Sequence, residues 1–476
     1  MYTVHFLPDD IQVHVENGTD LLQAQILAGL RPDAPCGGRG TCGKCRVMLD
    51  GAEVLACQTA VDRDMTVYTR QESAVKILTG GLAVDAQPDG AHDYALAIDI
   101  GTTTVVCYLL DGKTGAVLAQ SSTMNPQAQF GADVISRIQH VLENQGGEAM
   151  QACIRNALEK LTADVAAQAG IHPADITVAA IVGNTAMHHL LLGIDPSPLV
   201  VPPYMPNVFE ALEKDIARIL PNIAGFVGGD TVGCMVATRF DKLDKLTLMI
   251  DIGTNGEMVL GDKNRRIACS TAAGPAFEGA KISCGMRGAA GAVDHVWLED
   301  GQVKYHVIGD GEALGLCGSG LLDLVAVLLD LEIIDESGYL EDREYRLGDT
   351  PVVLTQKDVR EVQLAKAAIR AGIELLAQEL GIQVGAISQV YLAGAFGNYL
   401  TPASACRIGM IPPALLDRIR PIGNAAGEGA KLCALSKAEF TYSQELAKHT
   451  DFLELASLPD FQDCYVDALE FEEEEQ

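Results

Sequence analysis

Alternating apolar and polar residues predict a small β domain at the start of the chain. The segment TVHFLPDDIQVHVE alternates on both sides of a Pro-Asp-Asp turn, which predicts a β-hairpin. The next segment, LLQAQILAGL, predicts a helix capped by Asp20 and ending near Gly29. The segment CRVMLDGAEVLAC predicts strands that turn at Asp50-Gly51. Together these elements predict a β-grasp domain over residues 1–76.

An internal repeat dominates the rest of the chain. An apolar strand, an Asp-Ile-Gly-Thr turn and a second strand occur over 94–112 and again over 246–262. Gly101 and Gly253 allow a tight turn, and the backbone N–H groups that follow each glycine can form a concavity that holds an anion. Two such hairpins that face each other would clamp a triphosphate from both sides. Their aspartates, Asp99 and Asp251, end strands where a hydrated Mg²⁺ could sit.

Small-residue segments complete this pattern. VGGDTVGCMVATRF predicts a turn and a helix, and VYLAGAFGNYL predicts a strand that enters a Gly-rich turn under an adenine. GNAAGEGAKLCAL predicts a helix suited to close crossing against a partner. No Walker P-loop or dinucleotide fingerprint occurs in the sequence. The order of hairpins, helices and turn over 93–440 resembles the superfamily of actin, sugar kinases and heat-shock ATPases, which implies a two-lobed, ribonuclease-H-like ATPase.

Four cysteines near the N-terminus have the spacing of a cluster site. Cys36, Cys42, Cys45 and Cys57 form C-x5-C-x2-C-x11-C within a glycine-rich loop. Four thiolates hold one [2Fe–2S] cluster, and the plant-type ferredoxin spacing differs only by one residue in the first gap. A structural zinc site is the alternative, although such sites usually pair two CxxC knuckles. We expect most of the other nine cysteines to be small buried residues.

Charge and composition exclude several classes of partner. The chain has 34 basic and 64 acidic residues and a net charge of −30, so nucleic acid and anionic membrane surfaces are poor partners. No apolar run is long enough to span a membrane and no signal peptide is recognisable, which predicts a cytoplasmic protein. After the first domain we expect a linker (77–92), two ATPase lobes (93–245 and 246–440) and a C-terminal extension (441–476). The extension ends in an acidic tail, FEEEEQ, which we expect to be solvated and disordered.

The superfamily resemblance implies roles for individual residues around ATP and Mg²⁺. Asp99, Asp230 and Asp251 take the catalytic, metal-holding positions, although Asp230 could instead be a helix N-cap. Four further segments, which begin NPQAQF, VGNT, GPAFEG and CGSG, are either phosphate-binding turns or ordinary helix caps. The nucleotide-binding residues predicted are Gly101, Thr102, Thr103, Thr104, Gly253, Thr254, Asn255, Gly256, Glu257, Gly274, Gly318, Gly320, Gly394, Ala395, Phe396, Gly397 and Asn398.

A ferredoxin-type domain fused to this ATPase resembles one family, the reductive activators of corrinoid proteins. The motifs that carry the resemblance are CGGRGTCGKC, DIGTTT, NPQAQFGADVISRI, VGNTAMHHLLLG, DIGTNGE, GPAFEG, CGSG and LAGAFGNYL. The resemblance implies ATP-dependent transfer of one electron from the [2Fe–2S] cluster to the Co(II) centre of a corrinoid protein in a methyltransferase system. It also implies a cellular electron donor. Larger members carry an extra domain before the ATPase, so its absence here leaves the homodimer and the partner open.

Three other functions fit parts of the same sequence. A small-molecule kinase with a regulatory ferredoxin domain would share the ATPase core. An activator of a radical dehydratase would instead bridge a [4Fe–4S] cluster across a dimer, with two cysteines from each subunit. A non-enzymatic, actin-like assembly module is the third alternative.

Overall fold

The computed structural model describes residues 1–472, except 31, 33, 35, 41, 42, 70–79, 83, 85, 145 and 254, and for Ala395 it describes only the backbone. The chain forms two compact units. Unit 1 consists of Met1–Val75 and Pro126–Cys153, and unit 2 consists of Lys76–Asn125 and Ile154–Gln476. The second segment of unit 1 falls inside the range that the sequence assigned to the first ATPase lobe.

The strands are short and follow one another closely along the chain. They are β1 (Tyr2–Leu7), β2 (Ile11–Val15), β3 (Arg46–Leu49), β4 (Ala52–Leu55), β5 (Met65–Tyr68), β6 (Tyr94–Ile100), β7 (Thr104–Asp111), β8 (Val117–Met124), β9 (Ile176–Gly183), β10 (Leu212–Lys214), β11 (Ala217–Ile219), β12 (Thr247–Ile252), β13 (Gly256–Gly261), β14 (Arg266–Thr271), β15 (Ala292–Glu299), β16 (Gln302–Val307), β17 (Gly315–Leu316), β18 (Glu344–Arg346), β19 (Val353–Thr355), β20 (Gln389–Ala393), β21 (Ile419–Gly423) and β22 (Asp451–Phe452).

The α-helices range from six residues to more than twenty. They are α1 (Leu21–Leu27), α2 (Val134–Asn144), α3 (Gly147–Ala169), α4 (Thr185–Leu192), α5 (Gly229–Thr238), α6 (Gly318–Asp330), α7 (Gln356–Glu379), α8 (Gly394–Tyr399), α9 (Pro402–Arg407), α10 (Ala425–Leu435), α11 (Lys437–Lys448) and α12 (Phe461–Asp467). No helix among the described residues is both long and apolar enough to cross a membrane.

Unit 1 contains the β-grasp sheet that the N-terminal pattern predicts. Its strand order is β2-β1-β5-β3-β4, with β1 antiparallel to β2 and parallel to β5. The Asp20 carboxylate accepts a hydrogen bond from the Gln23 N–H at 2.8 Å and caps α1. Asp50 and Gly51 have φ values of 51° and 81°, the left-handed conformations that a two-residue hairpin turn requires. Both predicted hairpins and the predicted helix are therefore confirmed.

Unit 2 is built on two six-stranded sheets that reproduce the sequence repeat. The strand orders are β10-β11-β9-β6-β7-β8 in the first lobe and β21-β20-β12-β13-β14-β22 in the second. In each sheet the repeated hairpin lies near the centre, where its first strand is antiparallel to the next strand and parallel to a later one. Asp99 lies opposite Val106 and Asp251 opposite Glu257. The predicted two-lobed, actin-like architecture is confirmed.

The two small-residue helices cross at glycines, as their composition predicts. A Cβ atom on Gly429 of α10 would lie 2.0 Å from the carbonyl oxygen of Gly233 in α5. A Cβ on Gly233 would in turn lie 2.9 Å from the carbonyl oxygen of Ala426. The two backbones therefore approach more closely than any other residue type would allow.

We predict that Gly429→Ala destabilises the protein by about 3 kcal/mol, the upper end of the usual range for overpacking, because two helix backbones must separate to admit the methyl group. Gly385→Ala is the matched control, since its Cβ would meet no atom within 4 Å. Thermal unfolding of the two variants measures the difference. Equal midpoints would contradict the role assigned to the helix crossing.

The described part of the predicted linker is bound to unit 2. The Leu82 N–H donates to the Ile422 carbonyl at 3.0 Å, the Asn424 N–H donates to the Gly80 carbonyl at 2.9 Å, and the Asp89 N–H donates to the Leu435 carbonyl at 3.0 Å. Residues 77–79, 83 and 85 of this linker lie outside the described residues. The described linker residues thus belong to unit 2.

The C-terminal extension is also integrated into unit 2. Strand β22 pairs with β14 of the second sheet. We expected the FEEEEQ tail to be solvated, which is wrong for its first two residues. Phe471 is 4% exposed, and the Glu472 carboxylate accepts a hydrogen bond from Arg370 at 2.5 Å. Packing of the aromatic ring explains the difference, and residues 473–476 lie outside the described residues.

Candidate functional site

The first predicted phosphate hairpin is a tight turn held by side chains from other segments. The Gly101 N–H donates to the Thr104 carbonyl at 2.9 Å, and a Cβ on Gly101 would lie 2.9 Å from the same oxygen. Asn125 donates through its side chain to the Gly101 carbonyl at 2.8 Å. Asn184 donates to the Thr102 hydroxyl at 2.9 Å. The NPQAQF and VGNT segments therefore fix the hairpin.

The second hairpin, in the other lobe, has a turn one residue shorter than the first, since Ile252 pairs with Gly256 whereas Ile100 pairs with Val105. The Gly253 N–H donates to the Asn255 carbonyl at 2.9 Å. A Cβ on Gly256 would lie 2.8 Å from the Thr271 hydroxyl oxygen, so the strand that follows the turn also requires glycine. Thr254, the remaining residue of the predicted turn, lies outside the described residues.

Four acidic residues converge between the two hairpins. Burial, and after it the charge of Asp230, together raise the pKa of Asp99 and of Asp251 to about 7 in each case. Burial also raises the pKa of Asp230 to about 6. Burial and the charges of Asp230 and Asp251 raise the pKa of Glu257 well above its ordinary value. Such mutual repulsion is typical of a site that holds a cation.

Asp230 lies within the first turn of α5 and is not its capping residue. The N-cap is Gly228, and a Cβ on this glycine would lie 2.5 Å from the backbone nitrogen of Thr185. The Asp230 carboxylate accepts a hydrogen bond from the Thr231 N–H at 2.7 Å. The GGD turn therefore packs against the VGNT segment and directs Asp230 toward Asp99 and Asp251.

The acidic residues suit a hydrated magnesium ion. Within the described ranges, no three His, Cys, Asp or Glu side chains are close enough to ligate one ion directly. Mg²⁺ keeps several of its waters and is usually bound by one or two carboxylates together with substrate phosphates. Asp99, Asp230 and Asp251 are only partly exposed, so they fit a role in holding such an ion and its waters.

Burial of these carboxylates, together with their repulsion, predicts a pH-dependent stability. Because the pKa of Asp251 rises from 3.8 to about 7 in the folded protein, the folded state binds more protons than the unfolded chain between these values. Stability must therefore fall as pH rises through this window. We expect Asp251→Asn to raise the melting temperature of the nucleotide-free protein more at pH 8 than at pH 5. A difference in melting temperature that is the same at both pH values would contradict the raised pKa of Asp251.

The predicted adenosine segment forms a short helix at the edge of the acidic residues. Gly394, the first residue of α8, has φ +80°, and a Cβ there would lie 2.4 Å from an Asp251 carboxylate oxygen. The preceding residue, Ala393, is the pairing partner of Asp251. We expected a Gly-rich turn after this strand, but the structure has a short helix there instead.

Three of the predicted glycine-rich segments meet at one pair of aromatic rings. Phe396 stacks on Phe277, with ring centroids 5.1 Å apart and planes 3° from parallel. A Cβ on Gly318 would lie 2.6 Å from the Phe396 ring and 2.0 Å from the Phe277 carbonyl oxygen. The GPAFEG, CGSG and GAFGNY segments are thus brought together, and Gly274 at φ +76° leads into this contact.

Two other predicted glycines are explained by packing. A Cβ on Gly320 would lie 2.2 Å from the Val293 carbonyl oxygen of β15, and a Cβ on Gly397 would lie 3.1 Å from the Cβ of Leu392. Both positions need a small residue for packing within the second lobe. Asn398 follows Gly397 on α8.

Sequence reasoning did not single out several polar residues of the site. Asn424 caps α10 and lowers the pKa of Asp99 through a side-chain hydrogen bond, against the larger effect of burial. Glu278 accepts a hydrogen bond from the Thr103 hydroxyl at 2.6 Å. Asn125, Asn184 and Glu278 lie in segments that the sequence predicted to be helix caps or phosphate-binding turns. That prediction indicated their segments but not their individual contacts.

The cysteine loop in unit 1 has the features of a cluster site. Cys36 and Cys45 are buried and Cys57 is half-buried. The Cys45 and Cys57 sulfur atoms are 3.3 Å apart, which is too far for a disulfide. Cys42 lies outside the described residues.

Glycines allow the backbone to curl around this site. Gly37, Gly38, Gly40 and Gly43 all have positive φ, which glycine adopts at little cost. A Cβ on Gly40 would also lie 2.8 Å from the Gln58 side chain next to Cys57. The described thiols and the loop conformation therefore fit a [2Fe–2S] cluster held by the four predicted cysteines.

Models of protein families match most of the chain. Residues 4–66 match the model described as a 2Fe-2S iron-sulfur cluster binding domain, which supports the cluster over zinc. Residues 94–243 match the RACo middle region, and residues 245–476 match the C-terminal domain of RACo, the ASKHA domain. The model named for the middle region thus covers the range that we assigned to the first ATPase lobe.

Individual proteins show the same similarity. The corrinoid activation enzyme RamQ of Eubacterium limosum is 31% identical over 581 aligned positions, which cover 97% of each chain. Since this chain has 476 residues, more than a hundred of those positions have no counterpart in it. The [Co(II) methylated amine-specific corrinoid protein] reductase of Methanosarcina barkeri is 31% identical over 276 positions, which cover 53% of this chain and 51% of the reductase.

A solved structure extends the similarity to three dimensions. The reductive activator for corrinoid, iron-sulfur protein superposes with a TM-score of 0.71 and 29% identity. The match covers 99% of this chain and 98% of that one. The similarity therefore includes both the cysteine loop and the duplicated hairpins.

Proposed function

The chain belongs to the reductive activators of corrinoid proteins, and we propose that it uses ATP to return an inactive Co(II) corrinoid protein to Co(I). One electron passes to cobalt in each event, and a cellular donor replaces it. The observation that carries this proposal is the presence, in one chain, of a four-cysteine loop and a duplicated phosphate hairpin, aligned end to end with a corrinoid activation enzyme. We place the reaction in the cytoplasm.

In this proposal the N-terminal domain holds the electron carrier. Cys36, Cys42, Cys45 and Cys57 bind the [2Fe–2S] cluster, which supplies a one-electron donor with a potential of about −400 mV if it behaves like plant-type ferredoxins. The positive φ values of the loop glycines allow backbone N–H groups to approach the thiolates, and such hydrogen bonds would tune the potential of the cluster. Burial of Cys36 and Cys45 excludes water from their side of the site.

The two hairpins of unit 2 bind the nucleotide in this proposal. Backbone N–H groups after Gly101 and Gly253 hold the phosphates. Asp99, Asp230 and Asp251 would hold Mg²⁺ through its waters, and the charge of the cation would offset the burial that raises their pKa values and the repulsion that adds to it at Asp99 and Asp251. The short helix α8, which begins at Gly394 beside Asp251, accepts the adenosine.

Nucleotide binding can drive an uphill reduction only through different affinities for two states. Each ~59 mV of one-electron potential gap corresponds to about 1.4 kcal/mol. A nucleotide that shifts a population from 1:99 to 99:1 must distinguish the two states by about 5.5 kcal/mol. Closure of the two lobes on Mg-ATP is the two-state element that the architecture offers.

Partner recognition must overcome repulsion if the corrinoid protein is also acidic. The chain carries a net charge of −30, so we propose that docking uses a local contact patch. A homodimer is also part of the proposal.

Spectroscopy tests the function directly. The purified protein with its reduced cluster is mixed with Mg-ATP and a Co(II) corrinoid protein from a methyltransferase system, and the absorption of Co(I) is followed. We expect Co(I) to form with ATP and not without it. A non-hydrolysable analogue in place of ATP then shows whether binding is sufficient. Failure with several corrinoid proteins, despite a reduced cluster and measured ATP binding, would contradict the proposal.

A further inference from the structure

One hydrogen bond connects the two halves of the proposed nucleotide site. Thr103 lies in the turn of the first hairpin, and Glu278 lies in the GPAFEG segment that follows β14 of the second lobe. The Thr103 hydroxyl donates to the Glu278 carboxylate at 2.6 Å, although the residues are 175 positions apart. Both side chains are half-buried. A distance this short is typical of a hydrogen bond to an ionised carboxylate.

The backbone around Glu278 has little freedom to move. Phe277, the preceding residue, is stacked on Phe396. Gly279, the following residue, has φ +74°, and a Cβ there would lie 2.7 Å from the Met286 backbone nitrogen. Packing of the residues on both sides therefore fixes the backbone of Glu278. This keeps its carboxylate within reach of Thr103.

This contact competes with a bound phosphate. The Thr103 hydroxyl has one proton to donate, and it belongs to the hairpin turn that we propose as an anion site. A phosphate that accepts the hydrogen bond from this hydroxyl must displace the carboxylate. The two anions would also repel each other at one turn. Phosphate binding and the Thr103–Glu278 hydrogen bond therefore oppose one another.

We infer that Glu278 is a positioning residue of the nucleotide site, and that binding of Mg-ATP breaks its hydrogen bond to Thr103. Without nucleotide the bond ties the first hairpin to the second lobe. With nucleotide bound, a phosphate replaces the carboxylate at the hairpin. The nucleotide then connects the two lobes in place of the Thr103–Glu278 hydrogen bond. The inference rests on the proposed function only in taking Mg-ATP as the ligand.

Calorimetric titration of the full-length protein with Mg-ATP at pH 7.5 tests this inference. We expect Glu278→Gln to bind Mg-ATP at least fivefold more tightly than the wild type, because the competing charge is lost. Glu278→Ala should behave in the same way and provides a second variant if the first folds poorly. Glu299→Gln, on the exposed end of β15, is the matched control and should bind as the wild type does. Unchanged or weaker binding by both Glu278 variants overturns the inference.

A double-mutant comparison separates the hydrogen bond from general repulsion. In a Thr103→Val background the bond is already absent, so Glu278→Gln should raise the affinity by a smaller factor than in the wild type. An equal factor in both backgrounds overturns the inference. Slower ATP hydrolysis by Glu278→Gln with unchanged affinity also overturns it, since Glu278 would then act on the attacking water.

These measurements need neither a cluster nor a corrinoid protein. A wild-type protein that does not bind Mg-ATP would contradict the proposed function itself. A wild-type protein that binds Mg-ATP, with Glu278 variants of the same affinity, would contradict only the role of Glu278.

Discussion

Replacing Cys45 with Ala is expected to abolish cluster binding and, with it, corrinoid reduction, while Mg-ATP still binds. Cys45 is 4% exposed and its sulfur is 3.3 Å from that of Cys57. Loss of one of four thiolates leaves an iron without a ligand, and alanine offers no replacement. Iron and sulfide content, together with the visible absorption of the purified protein, measure the loss.

Cys464→Ala provides the control for this experiment. Cys464 is a half-buried free cysteine on α12 of unit 2, so its loss removes a thiol from a place with no proposed role. It should retain the full iron content. An iron-replete Cys45→Ala protein would show that this cysteine is not a ligand.

Replacing Asp251 with Asn is expected to slow ATP hydrolysis by a hundredfold or more. The amide keeps the shape of the side chain but removes a charge that we assign to the metal and its waters, and loss of one such electrostatic contact typically costs two to three orders of magnitude. Steady-state phosphate release at saturating Mg-ATP measures the effect. Asp349→Asn, at an exposed position, should hydrolyse ATP at the wild-type rate.

The same variant should be more stable than the wild type without nucleotide, because one of four mutually repelling carboxylates is gone. Activity and stability would then change in opposite directions, as is common where a site is built for function. A variant that loses both would indicate a structural role for Asp251. Normal hydrolysis would contradict its assignment to the site.

Local sequence patterns predicted the hairpins, the paired sheets and the convergence of Asp99 and Asp251. Each depends on a short motif that occurs twice in the sequence, so each copy supports the interpretation of the other. The crossing of Gly233 and Gly429 was also predictable, because glycine and alanine recur along both helices. These features need no knowledge of distant contacts.

Features that depend on distant partners could not be predicted in the same way. Thr103 and Glu278 are 175 residues apart, and nothing in either segment identifies the other. The GAFGNY segment is rich in glycine and predicted a turn, yet stacking of Phe396 on Phe277 accompanies a short helix there. Phe471 is buried next to a run of glutamates that predicted only a solvated tail.

The division of the chain has a consequence for how the redox part could be exchanged between proteins. Unit 1 is assembled from Met1–Val75 and Pro126–Cys153, so the chain passes between the units three times. A single break between the units cannot release unit 1 whole, and a fragment ending at Val75 would lack the second segment. Recombination that transfers only residues 1–75 would therefore leave Pro126–Cys153 behind, between two segments of unit 2 in the sequence.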